Sequence, residues 1–278
     1  MAPTAEPALP EPLPGSAGKD EDTPDMTDPR VYRFAGRDGL ELTYRETGEG
    51  RPLILLHGFI ASGSQWLGHG RAFTEHGYRL ILPDLRGHGD STRPHDPACY
   101  PPDVLADDGL ALIDRLGLDD YDLGGYSLGA RVVLRMLVRG ARPARAVVAG
   151  QGLARVVGAA RNGTNRRVVT ALANGDPIEP GSPDSGFASW ITQLGNDPLA
   201  LLRVLDSLVT TPEDALRRVD TRTLVAVGDQ DQDHASADAL AAILPNARFV
   251  QVPGNHWTAF TAPALATAMI AFLTEQSE

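Results

Sequence analysis

"GGYSLGAR", Gly124 to Arg131, sets one serine among close-set glycines between two apolar runs. Three glycines in six residues would weaken a strand or a helix, so they mark a place where the backbone turns sharply. The preceding run, "YDLGGYS", reads as a short buried strand. The following run, "LGARVVLRMLVRG", places Leu128, Val132, Met136 and Leu137 on one helical face. Gly125-x-Ser127-x-Gly129 therefore sits on a strand–turn–helix junction. Side chains at the flanking positions of such a turn would collide with the adjoining strand and helix, which is why glycines stand there. The turn presents the Ser127 hydroxyl at the sheet's C-terminal edge, beside a helix N-terminus that favours developing negative charge.

Around this junction the same pattern repeats. "PLILLHG", "YRLILPD", "ARAVVAG", "TLVAVGD" and "ARFVQVPG" are short, continuous apolar runs, as expected for strands buried on both faces. Helical periods such as "PPDVLADDGLALIDRLGL" separate most of them. Strands alternating with helices predict an α/β protein with a mostly parallel, doubly wound sheet. "VYRFAGRDGLELTYRETGEG" instead alternates around Arg37-Asp38-Gly39 and predicts a hairpin at the start of the core. The interval between "VVAGQGL" and "TLVAVGD" is too long for a plain connection. Residues 153–219 are expected to be an insertion folded over one edge of the sheet, with 29–152 and 220–278 forming the core. Leu201, Leu202, Leu205 and Leu208 in it are expected to bury a helix rather than to bind lipid. Residues 1–28, rich in Pro, Ala, Glu and Asp, cannot offset their ordering entropy by burial and are expected to be a disordered extension.

A neutral serine is a weak nucleophile and needs a base, itself oriented by a carboxylate. On a junction of this kind the partners follow in the order acid, then histidine. After Ser127 only His234 and His256 remain. His256 lies in "VPGNHWTAF" past the last strand, where Pro253 and Gly254 supply a turn back over the sheet edge. His234 follows the acidic loop too closely to face a partner there across a triad, so His256 is the expected base. "TLVAVGDQDQD" offers Asp229, Asp231 and Asp233 at the end of the preceding strand. Asp231 is preferred, with the other two solvated or capping, but spacing alone does not separate them. An oxyanion hole needs two donors. The backbone N–H of Leu128 supplies one, and that of Phe59 in "LLHGFIASGSQW" the other. His57 is expected to organise that loop.

Composition narrows the partners. The chain of 278 residues is 42 % apolar and 22 % charged, ordinary for a globular protein, and holds no run long enough to cross a membrane. The N-terminus shows no secretory pattern. The net charge is −11, of which residues 1–30 carry −5, and no basic stripe is present. Nucleic acid and anionic membranes are therefore not expected partners; a small-molecule substrate is. One cysteine, Cys99, excludes a disulfide framework and fits a cytoplasmic setting. A single lysine, Lys19, among many arginines points to a GC-rich bacterial source. Neither His69 with His76 nor Cys99 makes a metal or nucleophile constellation.

"LLHGF", "LPDLRGHGDS", "GGYSLGAR", "VAVGDQD" and "PGNHW" stand in the order and spacing of the α/β-hydrolase superfamily, which the chain resembles from about residue 30 to its C-terminus, the insertion excepted. The resemblance implies that fold with an inserted helical cap at residues 153–219. It also selects Asp231, three residues after the strand-end Gly228, and makes Asp84, Arg86 and His88 architectural. The implied activity is a serine ester hydrolase working through Ser127, His256 and Asp231, with no metal or organic cofactor. A serine at 127 argues against epoxide hydrolases and haloalkane dehalogenases, which use a carboxylate nucleophile in this fold. "GYSLGAR" is also similar to the elbow of 2-succinyl-6-hydroxy-2,4-cyclohexadiene-1-carboxylate synthase, where an arginine matching Arg131 helps hold a carboxylate substrate; a lyase of that kind is the alternative, as is a C–C bond hydrolase or a cofactor-free perhydrolase. Trp190 and Trp257 are candidate substrate-wall residues alongside Phe187.

Overall fold

The computed structural model describes residues 29–158 and 163–276; the extension expected over residues 1–28 lies outside them. Eight strands form one sheet: β1 (Arg30–Ala35), β2 (Glu41–Thr47), β3 (Arg51–Leu56), β4 (Tyr78–Pro83), β5 (Asp122–Tyr126), β6 (Arg145–Ala149), β7 (Arg222–Gly228) and β8 (Ala247–Val252). Their order is β1-β2-β4-β3-β5-β6-β7-β8. The β1–β2 hairpin pairs Ala35 with Glu41 around the expected turn, and β2 pairs antiparallel with β4; every other pairing is parallel.

Among the described residues the helices are α1 (Leu67–Thr74), α2 (Val104–Leu116), α3 (Leu128–Val138), α4 (Leu153–Val157), α5 (Thr164–Asn174), α6 (Pro183–Gln193), α7 (Pro198–Ser207), α8 (Glu213–Leu216), α9 (Ala237–Ile243), α10 (Thr258–Thr261) and α11 (Pro263–Leu273). They cover both faces of the sheet, which explains the continuous apolar strand runs. In β3, Ile54 and Leu56 enter the core shared with α2, α3 and α9, while Leu53 and Leu55 enter the core shared with α1 and α11. In β7, Val225 and Val227 face the first core and Leu224 and Ala226 the second. Each buried Leu, Ile or Val side chain of this kind stabilises the fold by about 1.5–3 kcal/mol.

Two expectations need correction. β8 is an edge strand, with Phe249 37 % exposed, because it has a neighbour on one side only; its run is not buried on both faces. α3 is not amphipathic in place. All its residues from Leu128 to Leu137 except Arg135 are buried, since the sheet, α2 and α8 pack around it. No helix of the described residues is long and apolar enough to cross a membrane.

The chain between β6 and β7 forms α4 to α8, and α5 packs on α6 and α7. It lies over the loops that leave the C-terminal ends of the strands. Asn196 Nδ2 donates to the carbonyl of Ile60 at 2.8 Å, the Asp103 amide donates to the Ser207 carbonyl at 2.9 Å, and His95 Nε2 meets Asp197 Oδ2 at 2.7 Å.

Candidate active site

The junction at Ser127 is built by interlocking glycines. A Cβ on Gly125 would stand 2.4 Å from the carbonyl carbon of Gly129, and a Cβ on Gly129 would stand 2.3 Å from the carbonyl oxygen of Leu56 at the end of β3. Only glycine permits β5 and α3 to meet this closely. Between them Ser127 has φ 53° and ψ −113°, a conformation an L-residue adopts at a cost of about 1–3 kcal/mol. The surroundings hold it there. Its N–H donates to the Ala149 carbonyl at 2.8 Å, and its own carbonyl accepts from Gln151 Nε2 at 2.9 Å and from the Arg131 amide at 3.1 Å.

The loop after β8 returns His256 to this serine. Gly254 turns at φ 117°, its N–H donates to Asp229 Oδ1 at 2.9 Å, and its carbonyl accepts from the Gln230 amide at 3.0 Å. Asn255 Oδ1 accepts the amides of Trp257 and Thr258, both at 3.0 Å. The Tyr126 hydroxyl donates to the His256 carbonyl at 2.6 Å. Tyr126 and Asp229 thus hold the loop that carries His256, and no local pattern around either residue marks that contact.

His256 Nε2 lies 3.0 Å from Ser127 Oγ and its Nδ1 lies 2.7 Å from Asp231 Oδ2. A carboxylate only accepts, so the imidazole proton belongs on Nδ1 and Nε2 is free to take the serine proton. Asp231 is 4 % exposed. Burial alone would raise its carboxyl, but hydrogen bonds from His234 and His256 outweigh it and hold the group well below the usual carboxylate range. Asp233 is instead surface-exposed and paired with Arg155 at 2.7 Å.

His234 does not stand apart as the sequence spacing suggested. Its Nδ1 lies 3.0 Å from Asp231 Oδ1, and its ring stacks on His256 with centroids 4.5 Å apart. The single 3₁₀ turn at Gln232–His234 eclipses positions three apart and so brings His234 back over Asp231. Asp231, His234 and His256 offer ligand atoms within 4.8 Å of one another, enough in number for a metal. The rings are only 21° from parallel, so their in-plane lone pairs do not converge on one ion; the geometry suits two N–H donors on one carboxylate.

Neither the Phe59 nor the Leu128 amide makes a backbone hydrogen bond among the described residues. Leu128 opens α3, and a Cβ on Gly58, next to Phe59, would lie 3.7 Å from Ser127 Cβ. The Phe59 loop is fixed by His57, whose Nε2 accepts the Leu85 amide at 2.9 Å while its Nδ1–H donates to the Gly58 carbonyl at 2.8 Å. The "LRGHGDS" turn is likewise structural. Asp84 accepts the amides of Gly63 and Asp90, and buried Arg86 binds Asp38, Asp108 and the Cys99 carbonyl.

Arg131 does not face the site. It is buried, and its guanidinium donates to the carbonyls of Arg155 at 2.6 Å and Val209 at 2.7 Å, tying α3 to the insertion. The tryptophans do approach: Trp190 of α6 meets Trp257 edge-on at 4.5 Å, and Trp257 lies 5.4 Å from His256.

A family model described as the alpha/beta hydrolase fold matches residues 51–150. The chain is 29 % identical over 250 residues to the non-heme chloroperoxidase CPO-A1 of Kitasatospora aureofaciens, covering 79 % of this chain and 89 % of that protein. It is 34 % identical over 93 residues to epoxide hydrolase 2 of Siraitia grosvenorii, covering 34 % of this chain and 29 % of that one. An esterase from Rhodococcus sp. superposes with a TM-score of 0.68 at 25 % identity, covering 89 % of this chain and 99 % of that one. With eight strands in this order, a serine on an interlocked glycine turn and a histidine returned to it, the chain has the α/β-hydrolase fold.

Proposed function

We propose that the protein hydrolyses a carboxylic ester or related acyl compound of small size. One observation carries this reading: the relay from Ser127 Oγ through His256, at 3.0 Å and 2.7 Å, to a buried ionised Asp231. Ser127 attacks the acyl carbonyl while His256 Nε2 takes its proton. Asp231 holds the ring in the productive tautomer and stabilises the imidazolium. The oxyanion forms against the amides of Phe59 and Leu128, each worth about 3 kcal/mol to the transition state. His256 then protonates the leaving alcohol. In the second half-reaction it takes a proton from water, which attacks the acyl-enzyme and releases the acid. The insertion 153–219 acts as a cap over the serine, with Trp190 and Trp257 as an apolar wall for the acyl or alkyl group.

Ser127 occupies the nucleophile position where an epoxide hydrolase needs a carboxylate, so the short likeness to such enzymes carries no proposal of epoxide opening. The lyase alternative rested on Arg131 as a carboxylate clamp, and that side chain is committed to two backbone carbonyls. The long match to a relative named non-heme chloroperoxidase favours one second reading. Hydrogen peroxide would replace water as acyl acceptor, so that the acyl-enzyme yields a peroxyacid and free Ser127.

The test is turnover of short- and medium-chain p-nitrophenyl esters by the wild type and Ser127→Ala, with and without hydrogen peroxide. Ester hydrolysis that vanishes with the serine supports the reading, and peroxyacid formation with peroxide supports the second. An inert wild type whose serine still reacts with a fluorophosphonate would exclude simple esters as substrates.

A further inference from the structure

Among the described residues, the carboxylate of Asp231 receives hydrogen bonds from two side chains only, His256 and His234. His256 takes Oδ2 at 2.7 Å. His234 lies 3.0 Å from Oδ1 and 3.2 Å from Oδ2, so among the described residues it is the sole close donor for Oδ1. A buried carboxylate with one oxygen undonated would be costly and free to turn about its last torsion. Turning it would swing Oδ2 away from His256 Nδ1 and tilt the ring that must reach Ser127. The second imidazole also stacks on the first, 4.5 Å between centroids and 21° from parallel, which limits rotation of His256 out of its plane.

We propose that His234 is a positioning residue for the Ser127–His256 relay, acting through Asp231 and through the stacked ring. The proposal rests on the hydrolase reading of the site. The turn that carries it is itself anchored. The Leu153 amide donates to the Ser236 carbonyl at 3.1 Å, the Ala154 amide to Ser236 Oγ at 3.0 Å, and Arg155 binds Asp233 at 2.7 Å. A Cβ on Gly152 would meet the His234 carbonyl at 2.9 Å, so the start of the insertion is seated directly on this turn. His234 thereby connects the covering segment to the acid of the relay.

The experiment compares His234→Asn and His234→Phe. Asn places an N–H₂ donor where Nδ1 stands and loses the ring; Phe keeps a stacking ring and loses the donor. The first readout is the rate at which a fluorophosphonate labels Ser127, which needs the Ser–His relay but no knowledge of the substrate. The second is kcat and KM on a p-nitrophenyl ester. Labelling and kcat are expected to fall about tenfold in the Phe variant, the loss of one hydrogen bond to a charged group, with KM within about twofold. Asn is expected to recover most of that loss. A wild type that is not labelled at Ser127 would sink the hydrolase reading. A labelled wild type with a Phe variant equally fast, or an Asn variant no faster than Phe, would overturn the role of His234 alone. Should the Phe variant not fold, the wild type decides by proton NMR. Two downfield imidazole N–H resonances, both displaced in Asp231→Asn, are required, and a single one refutes the shared carboxylate.

Discussion

Gly129→Ala tests the claim that the turn at Ser127 is set by backbone contact. The added Cβ would lie 2.3 Å from the Leu56 carbonyl oxygen, 2.6 Å from its carbon and 2.8 Å from the His57 carbonyl oxygen, where ordinary contact begins at 3.4 Å. Both partners are backbone at the end of β3, so no side chain can swing aside, and α3 and β3 must part by about 1 Å. Overpacking of this kind costs about 1–3 kcal/mol, and the better helix propensity of alanine returns at most about 1 kcal/mol. A melting temperature lower by several degrees follows, at about 2–4 °C per kcal/mol for a chain of this size. The functional cost is larger than the loss of stability. Leu56 and His57 lead directly to Phe59, so the shift moves the proposed oxyanion donor away from Ser127 and Leu128; a 1 Å misplacement costs about 100-fold in rate. Gly68→Ala in α1 is the control, because nothing lies within 4 Å of its added Cβ and only the gain in helix propensity applies. Thermal melting and the fluorophosphonate labelling rate read both effects. A Gly129→Ala protein as stable and as quickly labelled as Gly68→Ala would refute the argument.

Other substitutions separate the remaining forces. Ser127→Gly should melt higher than Ser127→Ala by about 1 kcal/mol, since both lose the hydroxyl but only glycine relieves φ 53°; equal melting temperatures would mean no strain is stored there. Asp231→Asn should lower the labelling rate by about 10⁴-fold at unchanged fold, because the amide favours the wrong imidazole tautomer, and a loss under tenfold would contradict Asp231 as the orienting acid. Buried His88 is pushed down to about 3 by desolvation and by neighbouring His57, so the folded state stays neutral there while the unfolded chain takes up a proton below about 6.5. Stability should then fall with pH by about 1.4 kcal/mol per unit from this histidine between those values; urea titrations of His88→Asn should show a slope shallower by that amount, and an unchanged slope would refute it. Arg131→Met should lower stability by about 1–3 kcal/mol by leaving the Arg155 and Val209 carbonyls unpaired, with KM unchanged; a raised KM would restore a substrate role.

What the sequence disclosed and what it hid follow from the range of the interactions. The strands of the parallel sheet could be placed because burial on both faces leaves runs such as "PLILLHG" with no polar break. The glycine turn could be placed because close backbone approach excludes every other residue at Gly125 and Gly129. β8 misled because the sequence does not say which strand lies at an edge. Arg131 misled for a related reason. An arginine one turn into a helix reads as surface or substrate contact, and only the path of the insertion supplies the carbonyls of Arg155 and Val209 that bury it. Spacing along the chain sets His234 aside, yet a 3₁₀ turn makes positions three apart neighbours, so Asp-x-x-His is a readable signal. Tyr126 and Asp229 act on a loop more than twenty residues away, and nothing local marks them.

The chemistry of the site depends on keeping Asp231 charged where water scarcely reaches. A carboxylate this buried tends to take up a proton, and a neutral acid would neither hold the His256 tautomer nor stabilise its cation. Two remedies are available in principle: expose the acid, or surround it with donors. Exposure would let water compete for Oδ2 and weaken every charge interaction near Ser127. The fold takes the second route and draws its donors from two places, the loop after β8 and the turn after β7. The two donors are not equivalent. In the proposed mechanism His256 takes up and releases a proton in each turnover, whereas His234, whose side chain among the described residues hydrogen-bonds to Asp231 alone, keeps its N–H on the carboxylate. In the proposed hydrolysis the first is the working base, and the second, by its hydrogen bond to Oδ1, holds the acid as an anion.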